Sequence, residues 1–81
     1  MSFPLFSRIV LTVDFPDENL MKGDVGTLVE HHPAGNEYPE GYEVEFFAGN
    51  GETIAVVSIP ASALRPVTSK DVLHVRQLAP A

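Results

Sequence analysis

Three histidines are the side chains in this sequence best suited to bind a metal ion or to transfer protons near neutral pH. His31 and His32 are adjacent, and His74 lies far from them along the chain. Because neighbouring side chains of a strand point to opposite faces, His31 and His32 cannot bind one ion without a local distortion. No carboxylate stands at a recognisable ligand spacing from His74. We therefore predict no metal site and no cofactor, and we interpret the histidines as surface or strand-end residues.

Nucleophiles and paired carboxylates are the next candidates for chemistry. The chain has no cysteine, and Ser58, Ser62 and Ser69 lie in no recognisable nucleophile motif. Glu43 and Glu45 share one strand face about 7 Å apart, a separation that acid–base catalysis could use. A domain of 81 residues, however, offers no deep pocket around such a strand. We therefore predict a protein that is not an enzyme.

Charge is unevenly distributed along the chain. Ten acidic residues but only one basic residue, Lys22, lie between Asp14 and Glu52, so this segment has a net charge of −9. The remainder has a net charge of +3. Such an acidic segment repels phosphate backbones and favours encounter with basic protein surfaces. The alternative is that the charge only keeps a small domain soluble. The unclustered basic residues of the remainder are Arg8, Arg65, Lys70 and Arg76.

Length and composition predict one cytoplasmic domain over residues 1–81. A chain this short can build only one core, and without cysteine it has no disulfide framework. Ser7 and Arg8 interrupt the apolar N-terminal runs, which lead directly into acidic residues. This pattern predicts neither a signal peptide nor a membrane span.

Short runs of Val, Ile, Thr, Phe and Tyr between regularly spaced glycines and prolines predict a small all-β barrel or sandwich. The run 53–59 is nearly all apolar, which predicts a central strand covered on both faces. A 3₁₀ turn within residues 61–64 is expected before the last strand. The predicted strands are 9–14, 25–31, 42–48, 53–59 and 73–78.

Four residues are predicted to act in turns. Pro16 and Gly23 bound a polar loop over residues 15–24, and Gly26 marks a bulge, a bend or a close backbone approach. Asn50 and Gly51 tolerate the positive φ angles that a tight hairpin requires. A second loop of about ten residues, 32–41, is longer than usual and is a common place for function.

The order of these elements matches a five-stranded SH3-like barrel. The segments KGDVGTLVE and YEVEFFAGNGETIAVVSIPASALRP also resemble a small bacterial family, domain of unknown function family 4926, over about residues 5 to 67. KGDVGTLVE is similar, in addition, to the turn of KOW motifs and to the SH3-like part of nitrile hydratase β subunits. These resemblances imply a fold and do not establish an activity.

The acidic segment predicts a non-enzymatic protein-interaction module, as a monomer or a small homo-oligomer. Its most specific form is an acidic companion protein, or antitoxin-type inhibitor, that covers the basic surface of a partner. Phe47 either points outward as an aromatic anchor or is covered by the N-terminal segment, which carries Phe3, Leu5 and Phe6. The predicted contact residues are Asp17, Glu18, Glu30, Glu43, Glu45 and Phe47.

Two alternatives from other functional classes remain open. The likeness to KOW motifs implies a nucleic-acid or ribosome-associated module, which would have to use the basic residues between 65 and 76. The likeness to nitrile hydratase implies an accessory domain of an enzyme complex. An acidic chain makes phosphate contact unfavourable over most of its surface, so nucleic acid is the less favoured partner.

Overall fold

The computed structural model describes residues 2–78. Two 3₁₀ turns, Pro16–Glu18 and Ala61–Ala63, lie in the loop after the first strand and just before the last one. The all-β prediction, with five strands and a 3₁₀ turn before the last of them, is confirmed. The strands are β1 (Arg8–Leu11), β2 (Val25–His32), β3 (Gly41–Phe47), β4 (Thr53–Pro60) and β5 (Leu64–Pro66).

The five strands form one antiparallel sheet in the order β4-β3-β2-β1-β5. Strands β4 and β5 are its two edges, and within residues 2–78 no ladder joins one edge to the other. The same residues contain no helix that is long and apolar enough to span a membrane.

Two strand predictions are wrong. The run 53–59 is an edge strand rather than a central one, and its Ile54 and Val56 side chains are exposed. Residues 73–78 form no strand, and the last strand is Leu64–Pro66. The reason is that β5 follows the 3₁₀ turn directly and pairs with β1, so the free side of β1 is already occupied.

The core lies on one face of the sheet, here called the inner face. Tyr42, Val44 and Phe46 alternate along β3 and are almost fully buried, as strand geometry requires for one face. The Tyr42 hydroxyl accepts a hydrogen bond of 2.7 Å from the backbone N–H of Phe3, which ties the N-terminal segment to the core. The other buried core residues are Ile9, Leu11, Leu20, Leu28, Ile59, Ala63 and Leu64.

Glycines permit a close strand contact and two tight turns. A Cβ atom at Gly26 would lie 2.6 Å from Val44 Cγ1, so only glycine allows β2 and β3 to pack at this point. Gly23 and Gly51 have φ angles of +95° and +90°. In the β3–β4 hairpin, the Asn50 side-chain oxygen accepts a hydrogen bond from the backbone N–H of Glu52.

Candidate functional site

A β-bulge in β2 and the alternation of β3 together place three acidic side chains on the face of the sheet opposite the core, here called the outer face. The register between β2 and β3 shifts between Leu28 and Glu30, so that Glu30 pairs with Glu43. Without the extra residue, Glu30 would point into the core. Glu43 and Glu45 alternate with the buried residues of β3 and share the outer face. We call Glu30, Glu43 and Glu45, together with His32, the acidic face.

His32 lies between two carboxylates of the acidic face. Its Nε2 atom is 2.9 Å from Glu43 Oε2, and its Nδ1 atom is 4.0 Å from Glu30 Oε2. Like charges directly opposite on paired strands repel each other. The His32 ring contacts the Glu43 carboxylate at the place where this repulsion acts.

Glu43 and Glu45 both reach toward the edge strand β4. Ser58 Oγ donates a hydrogen bond to Glu43 Oε2, and Thr53 Oγ1 donates one of 2.6 Å to Glu45 Oε2. The hydrogen bond from Ser58, followed by that from His32, lowers the pKa of Glu43 although partial burial opposes the shift. The Glu43 carboxylate is therefore charged at neutral pH.

The two adjacent histidines point to opposite faces. His31 lies on the inner side, with its ring centroid 4.8 Å from that of Tyr42. Its Nε2 atom is 2.8 Å from Glu40 Oε2, and this contact is the main reason that the pKa of Glu40 is lowered. Within residues 2–78 no group of three or more His, Asp or Glu side chains is arranged to hold a metal ion.

Ser58, His32 and Glu43 are three residue types that occur in nucleophilic sites, but their geometry differs from that of a nucleophile and its base. Both Ser58 Oγ and His32 Nε2 contact the same oxygen, Glu43 Oε2. Activation of a serine requires its hydroxyl to donate to the imidazole instead. This cluster thus holds the Glu43 carboxylate in place rather than activating Ser58.

The remaining predicted contact residues lie at the other end of the sheet. Asp17 and Glu18 form the exposed 3₁₀ turn in the loop that leads into β2. The first residues of β2 pair with the end of β3 near Phe47, whereas Glu30 pairs near its start. The structure therefore brings Glu30, Glu43 and Glu45 together and separates them from Asp17 and Glu18.

Phe47 is 45% exposed and lines a cleft of about 560 Å³ together with Val25 and Ile54. Residues 73–78 also line this cleft. None of residues 2–7 lines this cleft. The Phe3 ring lies 5.6 Å from the ring of Tyr42 in the core. The chain segment beside Phe47 is therefore the C-terminal one.

Two arginine–aspartate pairs hold the C-terminal segment, residues 67–78, against the sheet. Arg65 donates two hydrogen bonds, of 3.0 and 2.9 Å, to the carboxylate of Asp71. Arg76 donates two, of 2.8 and 2.6 Å, to Asp24. Burial raises the pKa of Asp24, but the Arg76 contact and the Met21 N–H outweigh it and lower the pKa. Both arginine charges are thereby neutralised locally.

Sequence reasoning did not anticipate the bulge or the two ion pairs. Leu28 and Val29 are adjacent apolar residues that interrupt the alternation of β2, and this interruption was the available signal for the bulge. The pair between Arg76 and Asp24 joins residues 52 positions apart. No spacing rule along the chain predicts such a contact.

Comparison with protein families adds one finding. Residues 5–66 match the family model described as a domain of unknown function, DUF4926. The chain belongs to the DUF4926 family. The matched range contains all five strands of this DUF4926 domain and ends at the last residue of β5, so the C-terminal segment lies outside it. No curated protein and no solved structure matched the chain.

Proposed function

We propose that this DUF4926 chain is a non-enzymatic protein-interaction module whose acidic face binds a partner protein with a basic surface. The observation that carries the proposal is the grouping of Glu30, Glu43 and Glu45 on one exposed sheet face, with two of the carboxylates oriented toward an edge strand. Such a patch attracts a basic surface and increases the rate of association.

The proposal includes an SH3-like arrangement of the strands, with the sheet left open at β4, and a cytoplasmic location. Its most specific form is an acidic companion or antitoxin-type inhibitor that covers a basic surface of its partner. A net charge of −6 on 81 residues suits such a role because long-range attraction guides the two proteins into contact.

A nucleic-acid role gains no support from the basic end of the chain. Arg65 and Arg76 would be its main phosphate contacts, and both are already paired with aspartates. Breaking these pairs to bind phosphate would expose carboxylates next to the ligand. An accessory role in an enzyme complex would instead be recognised by a large stable assembly in cells.

The test is affinity capture from a lysate of the source organism, followed by measurement of binding rates with the captured protein. Wild type is compared with the double variant Glu43→Gln/Glu45→Gln, which removes two charges and retains the hydrogen-bonding shape. We expect the double variant to associate several-fold more slowly and with a weaker dependence on salt.

The matched control is Asp17→Asn/Glu18→Gln, which removes the same charge at the opposite end of the sheet. We expect a clearly smaller loss in association rate for this variant. Equal losses in the two double variants would mean that only total charge matters. Unchanged binding after neutralisation of Glu43 and Glu45 would refute the proposed site.

A further inference from the structure

Strand β4 is a sheet edge that is unprotected from Ala55 to Ile59, beyond a register shift at Ile54. Its eight residues, TIAVVSIP, include no charged side chain, and its only proline is the last residue. Six consecutive residues of β4 pair with β3 without interruption, from Pro60 to Ala55. Natural proteins usually block an edge of this length with charges, prolines or bulges, because it can pair with another chain.

The hydrogen-bond pattern identifies which backbone groups of β4 are free. The N–H of Ala61 donates to the carbonyl of Glu40, so Ala61 and Glu40 form a hydrogen-bonded cross-strand pair. In an antiparallel ladder such pairs alternate, so Ala55, Val57 and Ile59 bond to β3. The N–H and C=O groups of Val56 and Ser58 therefore point to the open side. The next residue that faces the open side is Pro60, which has no N–H to donate.

The side chains beside this open edge indicate which kind of ligand it can bind. Val56 and Ser58 lie on the outer face and pair with Glu45 and Glu43 respectively. On the outer face, alternate side chains of a strand added beside β4 would lie in line with the Val56–Glu45 pair and the Ser58–Glu43 pair. Two strand spacings are roughly 10 Å, a distance that a lysine or arginine side chain and a glutamate can bridge together.

The other side chains of an added strand would face the core. Ile59 is buried and Val57 is half-buried and packed against the core, so the inner side of this edge is apolar. We propose that the free edge of β4 binds an extended peptide segment with alternating basic and apolar residues, which adds to the sheet as a further strand. This inference rests on the proposed function and specifies the partner's segment.

Charge favours such a peptide over a second copy of this chain. Two copies joined edge to edge would bring two acidic faces side by side, because Glu43 and Glu45 lie one strand from the edge. A basic segment meets the same carboxylates with the opposite sign. The occupant is therefore a basic strand of another protein.

The experiment measures binding of a synthetic nine-residue peptide of alternating lysine and valine to the full chain at low salt. A block peptide of the same composition, with all lysines before all valines, has the same charge and lacks the alternation. We expect the alternating peptide to bind at least tenfold more tightly than the block peptide. We also expect new hydrogen-exchange protection at the amides of Val56 and Ser58.

Variants of β4 and of the peptide separate strand addition from charge attraction. Val56→Pro removes a free-edge N–H and leaves the bonds to β3 in place, and should weaken binding at least tenfold. Val56→Ala retains the N–H and should stay within about threefold of wild type. In the peptide, N-methylation of lysine amides should abolish binding, whereas N-methylation of valine amides should not. This second test does not depend on folding of the proline variant.

Equal binding of the alternating and block peptides, or unchanged binding by Val56→Pro, would overturn strand addition and leave the proposed function standing. A dimer in sedimentation that disappears in Val56→Pro would assign the edge to a second copy and also overturn the inference. Capture of a basic partner by Val56→Pro at full affinity would also overturn strand addition. Loss of partner capture only in Glu43→Gln/Glu45→Gln would then support the acidic face alone.

Discussion

The two edges of this sheet are built differently. Strand β5 has three residues, LRP, and combines short length, a charge and a proline. The C-terminal segment follows it, fixed by the Arg65–Asp71 pair. Strand β4 has eight residues and none of these protections within its central part. Because one edge is blocked in the usual ways, the open edge is a specific feature of this chain rather than a general property of a small sheet.

Both edges depend on one core, and the largest expected effect comes from disturbing it. Leu28 is fully buried on β2, between the two halves of the sheet. Leu28→Ala should lower the free energy of unfolding by about 2–5 kcal/mol, because the lost methyl groups leave a cavity. Urea unfolding measures the loss, and protection against hydrogen exchange should fall at β4 and β5 together.

The control for this core substitution is Val75→Ala, at a side chain that is 95% exposed. Its stability should stay within about 0.5 kcal/mol of wild type. Loss of exchange protection at only one edge of Leu28→Ala would indicate that the two halves of the sheet unfold separately.

A smaller loss of stability is expected when the C-terminal segment loses its contact with Asp24. Arg76→Ala removes both hydrogen bonds to Asp24 and should cost about 1 kcal/mol or less, since the pair is partly exposed. Residues 71–78 should exchange amide protons faster and be cleaved more rapidly by protease, while the β3–β4 hairpin is unaffected. Lys70→Ala, in the same segment, is the control and should change neither rate. Equal protection in the two variants would mean that the ion pair does not hold the segment.

A charged side chain on the open edge β4 should block strand addition there, as the charge and proline of β5 do at the other edge. Val56→Lys introduces the residue that natural edge strands commonly carry, directly in line with Glu45. We expect stability to change by less than about 0.5 kcal/mol at this exposed site. Binding of the alternating lysine–valine peptide should fall at least tenfold, measured by fluorescence titration, because the new charge repels it. Val56→Thr should bind normally, and loss in both variants would point to the valine side chain itself.

The smallest effect concerns pH and again distinguishes the two edges. The pKa of Glu43 is lowered chiefly by the Ser58 hydrogen bond, so its contribution to stability is complete above the ordinary glutamate pKa of about 4.3 and is lost as the pH falls through the lower folded pKa. The Arg65 hydrogen bond holds the pKa of Asp71 well below its usual range. On acidification, Glu43 should therefore protonate before Asp71.

Carboxyl carbon NMR shifts of Glu43 and Asp71 measure this order directly. Ser58→Ala should move the Glu43 midpoint upward, toward the ordinary value, because it removes the largest cause of the shift. Thr53→Ala removes the neighbouring contact to Glu45 and should leave Glu43 unchanged. Protonation of Asp71 before Glu43 would contradict the assignment of the two environments.

Local patterns in the sequence determined much of the fold. Alternation along residues 42–46 predicted a strand with one buried face, and Tyr42, Val44 and Phe46 are the residues buried there. The 3₁₀ turn before the last strand followed from the short run after Pro60. These features depend on side-chain period and turn chemistry, which neighbouring residues specify.

Only the tertiary structure decided which strands lie at the edges and which acidic residues meet. An apolar run such as 53–59 can form either a central strand or an edge strand. Which one it forms depends on whether a second strand, distant in sequence, pairs with its other side. The bulge before Glu30 turned its side chain to the outer face, and the contact between Arg76 and Asp24 positioned the C-terminal segment. The sequence by itself determined the alternation of the strands and the excess of acidic over basic residues. Long-range pairing determined the acidic face and the open edge, since both arise from residues brought together only by folding.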